Sequence, residues 1–448
     1  MAIIELAQRE RDAEGRGSKR DEAHPANVLP EWSLARRVLF RFTLVYFVLY
    51  LFPFPLDVIP YVGVIAEWYQ NLWNAVVPWV GKHLFQVDIT VRPNGSGDTT
   101  YNYVQVLCYL VLALVAAALW SLLDRRRPNH ARLAPWLRVY LRFGLAAVMI
   151  SYGAIKVIKS QFPAPALDRL LQPFGDASPM GLLWTFMGAS LAYNVFSGIC
   201  EMLGGLLLLS RRTTLLGALL SIAVISNIVA LNFCYDVPVK LYSLHLLVMA
   251  CLLAAPDARR LASFFLLNRT VEPAPLAPLF ERPWLCRGAL VLRTLLIVVI
   301  TGFSLYGAYQ GRHTYGDLAP KPPLYGIWNV EEIEVDGKVR PPLASDETRW
   351  RRVVFGFPGQ MSIQLMSNSR QRYNLKLDAA KGTLALAERN DPTQKFTLAY
   401  RQSGPGLLAL EGTLGHQKIR ASLKKTDLSS FLLMNRGFHW INEFPFNR

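Results

Sequence analysis

Charge is scarce in this sequence. Of 448 residues, 18% are Asp, Glu, Lys or Arg, while 52% are hydrophobic. Soluble domains run near 25% charged, so the balance argues against an ordinary soluble fold for much of the chain. Cysteine is scarcer still: Cys108, Cys200, Cys234, Cys251 and Cys286. The count is odd, no CxxC occurs, and four of the five lie inside or at the end of apolar runs. This argues against a disulfide framework or a thioredoxin-like centre and favours small packing residues. The histidines (24, 83, 130, 245, 313, 416 and 439) are scattered, and none pairs at metal-ligand spacing. Zinc is therefore unsupported, and a haem held by histidines of distant helices stays open. GxGxxG and P-loop contexts are missing as well, so nucleotide chemistry is not expected. No apolar stretch opens the chain: residues 1–31 are mixed in charge, which reads as a cytoplasmic tail and not as a cleavable signal.

What the sequence does have is long apolar runs. A bilayer core needs about 20 residues at 1.5 Å rise each. Seven runs meet that standard: Val38–Leu56, Tyr101–Leu123, Trp136–Val157, Met187–Ser210, Thr213–Phe233, Val239–Ala255 and Leu285–Ala308. The sixth is the shortest. The net charge of +16 would suggest nucleic acid in a soluble protein, but here it lies in short loops beside the apolar runs. With the N-terminus inside, the inner segments hold 20 Lys and Arg and the outer loops 5, namely Lys82, Arg92, Lys159, Arg169 and Lys240. The asymmetry predicts a cell inner-membrane, multi-pass protein with a cytoplasmic N-terminus and a periplasmic C-terminus. No nucleic-acid partner is expected, and the lipid bilayer is the first partner.

Two outer loops are more than connectors. Tyr61–Phe85 carries Trp68, Tyr69, Trp73 and Trp79, which fits an interfacial helix or a lid over the bundle. Ser160–Gly181 places four prolines around the amphipathic stretch Ala166–Leu171 and is expected to fold onto the bundle mouth. After Ala308 the pattern changes. A proline-bearing linker (309–323) leads to period-2 runs: Tyr325–Val335, Trp350–Phe357, Met361–Met366, Arg372–Leu377, Thr383–Ala387, Phe396–Arg401, Leu407–Glu411, Lys418–Leu423 and Phe431–Asn435. Turn signals such as Asp336-Gly337 and Lys381-Gly382 separate them, which predicts an antiparallel barrel or sandwich. The fold class is thus a membrane all-α helical bundle of about seven transmembrane helices plus a C-terminal all-β domain. Its parts are a tail (1–35), two helices with the tryptophan loop (36–135), a four-helix core (136–257), a loop with the seventh helix (258–308), the linker (309–323) and the β-domain (324–448).

The four helices from Trp136 to Asp257 carry Arg142-Phe-Gly144 and Gly153-Ala-Ile-Lys156 in one helix. The next carries Glu201-Met-Leu-Gly204-Gly205, followed by Arg211-Arg212. In these residues the segment resembles the DoxX family of small membrane proteins, over about 120 residues of the chain. The resemblance implies a redox association, because some members are similar to quinone-reactive subunits of thiosulfate:quinone oxidoreductases. Other members have no known activity, and distant relatives look like cargo receptors and assembly chaperones. The β-domain opens Tyr325-Gly326-Ile327-Trp328, similar to the G-x-W of lipocalin-type barrels. That likeness implies structural roles for Gly326 and Trp328 and a late arginine, Arg436, packed over the tryptophan.

Ionisable groups in a bilayer cost about 2.5–3.5 kcal/mol at a helix centre on insertion scales, so each needs a reason. The internal polar list is Tyr152, Lys156, Asn194, Ser197, Glu201, Asn227, Asn232 and His245. Counting residues from the helix ends puts Glu201 and His245 at one deep level, as a proton-active pair and candidate catalytic site. Lys156, Asn194 and Asn232 fall near the outer mouth, so Lys156 and Glu201 are not obvious partners. Tyr152, Lys156, Asn194, Ser197, Asn227 and Asn232 are candidate ligand-binding residues, and the same groups could serve as polar glue between helices. Two functions stand open. One is a quinone- or lipid-binding subunit of a membrane redox system, with quinone as cofactor and a periplasmic redox enzyme or an apolar ligand at the β-domain. The other is a non-enzymatic assembly or lipid-handling protein with the barrel as its binding module. The missing cysteine pair favours the second.

Overall fold

The computed structural model describes residues 31–56, 62–91, 94–274, 280–391 and 393–447. Most of the expected cytoplasmic tail, and Arg92 of the outer loops, lie outside the described residues. The chain divides into two compact units, residues up to 91 with 100–141, and 92–99 with 142 onward.

The first unit contains α1 (Leu34–Leu51), α2 (Gly63–Leu84), α3 (Thr100–Leu123) and the start of α4 (Ala134–Val157). Ser33 caps α1 by accepting from the Arg36 amide at 3.3 Å. The helix ends at Leu51, short of the expected Leu56, because Pro53 and Pro55 follow and cannot continue a helical ladder. Arg41 sits inside α1 and is 1% exposed. Its Nε donates to His130 Nε2 at 2.9 Å, and Nη1 donates to Ser121 Oγ at 2.8 Å. Nη2 donates to the Asp124 carbonyl at 3.1 Å and lies 3.8 Å from the Asp124 carboxylate. Accepting from Arg41 makes His130 the neutral imidazole with its proton on Nδ1. Burial, and then the Arg41 charge, hold the His130 pKa below the ordinary histidine range. In α2, Trp73 is buried edge-on against Tyr109 at 4.7 Å, while Trp68 and Trp79 are exposed. The tryptophan loop is therefore a 22-residue helix with one packed and one outward face.

Among the described residues, six helical segments are long and apolar enough to cross a membrane: α3, α4, Leu191–Leu208, Thr214–Cys234, Lys240–Phe265 and Pro283–Thr314. Six of the seven expected runs correspond to these. α1 is not among them, since Arg36, Arg37 and Arg41 fall within its 18 residues.

In the second unit, α4 is followed by the single turn α5 (Leu167–Leu170) and by α6 (Pro179–Ala189). Then come α7 (Leu191–Leu208), α8 (Thr214–Cys234), α9 (Lys240–Ala254), α10 (Ala258–Phe265) and α11 (Pro283–Thr314). The expected helix Met187–Ser210 is broken at Ser190, whose hydroxyl accepts from the Tyr193 amide at 3.2 Å and restarts the helix as α7. Asp98 caps α9 from a distant loop: its carboxylate accepts from the amides of Lys240 at 2.7 Å and Leu241 at 3.0 Å.

The β-domain is a closed antiparallel barrel. Its strands are β1 (Gly326–Val335), β2 (Lys338–Val339), β3 (Trp350–Phe355), β4 (Gln360–Leu365), β5 (Arg370–Asp378), β6 (Thr383–Glu388), β7 (Lys395–Gly404), β8 (Leu407–Leu414) and β9 (Gln417–Lys425). Neighbours pair in sequence order from β3 to β9, β1 pairs with both β3 and β9, and short β2 folds back on β1. Closure removes the open edges that invite aggregation. A bulge between Val330 and Glu332 shifts the register of β1, so that Trp328, Val330 and Ile333 all point inward. Inward residues of all eight wall strands form one cluster, including Trp328, Trp350, Phe355, Met361, Leu398 and Leu423. The last expected strand, Phe431–Asn435, is instead a turn of helix, α12 (Leu432–Asn435), because the wall already closes at β9.

Candidate ligand-binding site

The family-like motif residues are where α4 and α7 touch. A Cβ on Gly153 would stand 2.7 Å from the Gly198 carbonyl and from Met202, and one on Gly198 would stand 2.7 Å from the Gly153 carbonyl. Two turns further along α7, Gly205 faces Ala146 and Ile150 at about the same closeness. Only glycine lets two helix backbones meet at this distance. The crossing sets Lys156 beside Glu201: Nζ lies 2.7 Å from Oε1 and donates to Oε2 at 2.8 Å. Lys156 is 7% exposed and Glu201 is 2% exposed. The ammonium also stands 5.5 Å from the Tyr152 ring and 5.9 Å from the Phe162 ring.

This corrects the expected Glu201–His245 pair. Helical Cβ atoms lean toward the N-terminus of their own helix. α4 and α7 run in opposite directions, so Lys156 leans inward from the end of α4 and Glu201 leans outward from the middle of α7. Two long side chains then close a gap that a count of Cα levels keeps open. The half-buried His245 bonds through Nδ1 to the Leu241 carbonyl of its own helix at 2.6 Å.

Beside the ion pair lies a cavity of about 400 Å³, within the ~300–1,000 Å³ range of ligand pockets. Tyr152, Lys156, Ser197, Glu201, Asn227 and Asn232 all line it. Two of the eight residues on the internal polar list are not on its wall: His245, and Asn194, which is fully buried and donates to the Phe162 carbonyl at 3.2 Å. Asn232 donates to Ser243 Oγ at 3.0 Å, which ties α8 to α9. Sequence reasoning missed Gln161, Phe162, Trp184 and Tyr242 on the wall. The available signal was an aromatic at the start of an apolar run, Trp184 just before Met187 and Tyr242 just after Val239; in the structure Trp184 packs on Phe162 at 5.2 Å and Tyr242 on Tyr152 at 6.1 Å. The rest of the wall is largely aliphatic and aromatic.

α7 and α8 diverge around the cavity. At one end a Cβ on Gly217 would lie 2.7 Å from the Leu208 amide, and one on Gly204 would lie 3.0 Å from Ser221 Oγ. Further along, Ser197 and Cys200 of α7 and Asn227 of α8 face the void instead of each other. Tyr193 and Phe196 line the void yet are 40% and 62% exposed, so the cavity opens sideways between these helices. Phe162 roofs the cavity, buried among Leu183, Met187 and Val237.

The roof segment continues to the barrel. Leu167 and Leu171 pack on the outward residues Ile327 and Val354. Asp168 accepts from Ser362 Oγ at 2.7 Å, and Gln364 Nε2 reaches the Leu171 carbonyl at 3.4 Å. Asp317 accepts from the Ala164 amide at 2.7 Å and pairs with Lys159 at 2.9 Å. The loop expected at the bundle mouth thus joins cavity and barrel.

Within the barrel, Trp328 is 2% exposed and its Nε1 donates to the Leu324 carbonyl at 2.9 Å. Lys425, not Arg436, lies over its ring at 5.7 Å. Lys425 is the β9 partner of Trp328, whereas Arg436 is in the exposed segment after α12, over Phe446 at 4.1 Å. Gly326 has φ +146°, and a Cβ there would stand 2.7 Å from Lys425 Cε, so glycine fits for two reasons.

No family model and no solved structure matches the chain. Over 126 residues it is 36% identical to the uncharacterized protein YwoB of Bacillus subtilis (strain 168), a stretch that makes up 28% of this chain and 79% of that protein. The chain therefore belongs to the same family as YwoB.

Proposed function

We propose that this chain is a DoxX-like inner-membrane protein that binds a quinone or a similar lipid-soluble molecule, as a subunit of a membrane redox system. The observation that carries the reading is the largely apolar cavity of about 400 Å³ with the buried Lys156–Glu201 pair on its wall. Buried charge inside a membrane bundle costs stability and marks function by default. In this reading α1 is the seventh span, its Arg41 neutralised by Asp124 and hydrogen-bonded to His130. The N-terminus is then cytoplasmic and the barrel periplasmic, as the 20-to-5 basic asymmetry favours.

The residues present suit a quinone. Gln161 Oε1 is buried on the cavity wall and has no hydrogen-bond partner among the described residues, which leaves an acceptor for the hydroxyl of the reduced quinol. Lys156 and Tyr152 supply donors for a carbonyl oxygen, and Glu201 holds Lys156 in place. When bound, a quinone supplies reversible transfer of two electrons and two protons. The alternative, a non-enzymatic protein whose barrel is the binding module, is weakened by the side chains that occupy the barrel interior. Organic extraction of the purified full-length protein, followed by mass spectrometry, tests the reading. A co-purifying quinone that is lost in Lys156→Met supports it, and phospholipid alone in both proteins counts against it.

A further inference from the structure

We infer that the cavity selects an electrically neutral, single-tailed amphipath with a hydroxyl or carbonyl head. This rests on the reading that the cavity binds a lipid-soluble molecule, and adds the ligand's charge and shape.

Charge follows from the ion pair. One ammonium nitrogen meets both Glu201 oxygens, at 2.7 and 2.8 Å, and the pair is nearly fully buried, so the wall presents no net charge. An anionic head that captured Lys156 would strand Glu201 without a counter-charge, and a cationic head would strand Lys156. Either leaves an uncompensated buried charge, which is the costly outcome. The other polar groups facing the void are neutral, among them Tyr152, Ser197, Asn227, Tyr242 and the Gln161 amide oxygen, which has no hydrogen-bond partner among the described residues. They suit a head that exchanges neutral hydrogen bonds.

Shape follows from size and opening. A void of about 400 Å³ holds roughly a dozen non-hydrogen atoms if each takes the ~30 Å³ share of a water in the liquid. That accommodates a head and the start of one chain, not two acyl chains. The remainder of the tail leaves sideways past Tyr193 and Phe196, where lipid would continue the apolar contact.

Cys200 lines the cavity and serves as reporter. The experiment uses the full chain with Cys108, Cys234, Cys251 and Cys286 replaced by alanine, and measures the rate at which N-ethylmaleimide labels Cys200. Monoolein is expected to slow labelling by about tenfold at roughly ten times its dissociation constant. Oleate, oleylamine and the short-tailed glycerol monobutyrate are expected to leave the rate unchanged. In Glu201→Gln protection should shift to oleate, and in Lys156→Met to oleylamine. The unsubstituted pair decides the matter even if either variant fails to fold. Oleate protecting as well as monoolein would overturn the neutral-head inference and leave the cavity reading standing. Protection by glycerol monobutyrate equal to that by monoolein would overturn the tail. Failure of every probe would overturn both the inference and the cavity reading.

Discussion

The helical part of the second unit and the barrel both have apolar interiors, and they use them in opposite ways. In the barrel, inward side chains from every wall strand meet in one cluster and fill the space around Trp328. The recess of about 270 Å³ at its end lies under the linker prolines, and its one charge, Lys321, is exposed. The helices instead leave a void of about 400 Å³ and put an ion pair on its wall. A filled interior, whose buried Arg349 donates to the carbonyls of Arg340 at 2.8 Å and Trp350 at 2.9 Å, is a structural solution. An unfilled interior with a buried charge pair costs stability, and that cost makes sense if something else occupies the space.

Breaking each interior should give different signatures. Lys156→Met alone, or Glu201→Gln alone, leaves one buried charge uncompensated and should cost about 3–5 kcal/mol in unfolding experiments in detergent. The double variant should be less damaged than the sum of the two. Strict additivity would mean that the pair does not interact. Trp328→Ala should cost a similar 3–5 kcal/mol, the usual range for a buried aromatic, and the loss should be confined to the barrel. An unchanged barrel melting transition would show that its core is not packed around this ring. Where the two regions meet, Leu167→Ala should cost about 2 kcal/mol, the low end for a buried leucine, and expose the 160–181 segment to protease while both interiors stay folded. Cleavage at the unsubstituted rate would dissociate the roof from the barrel.

The smallest effect belongs to the first unit. A histidine pKa lowered by folding contributes stability that is fully present above the unfolded value of about 6.5 and is lost as pH falls from there through the lower folded value. The thermal midpoint should therefore drop below about pH 6.5. His130→Gln should flatten that drop, since glutamine can accept from Arg41 without titrating. Identical pH profiles would remove His130 from the account.

Much of this was legible in the residues. Among the described residues, apolar runs located six helical segments of membrane-spanning length, and period-2 runs located all eight wall strands. Six of the eight residues on the internal polar list line one cavity. The pairing was not legible, because helix periodicity gives Cα levels and not the lean of Lys156 and Glu201 toward each other. The docking of α5 was missed for another reason. Strict alternation was assumed, yet Ile327-Trp328 and Val353-Val354-Phe355 are unbroken apolar runs, which signal strands covered on both faces. Arg436 was chosen by its late position, whereas strand pairing sets Lys425 opposite Trp328.

The claim that the bundle and not the barrel holds a ligand is tested most directly by filling the cavity. Ala223 lines it from an exposed position, so Ala223→Trp should occupy the void without disturbing the ion pair. Extraction and mass spectrometry of the purified full chain should find a co-purifying lipophile in the unsubstituted protein and in Trp328→Ala, and none in Ala223→Trp. A lipophile retained in Ala223→Trp but lost in Trp328→Ala would place the ligand in the barrel and contradict the account.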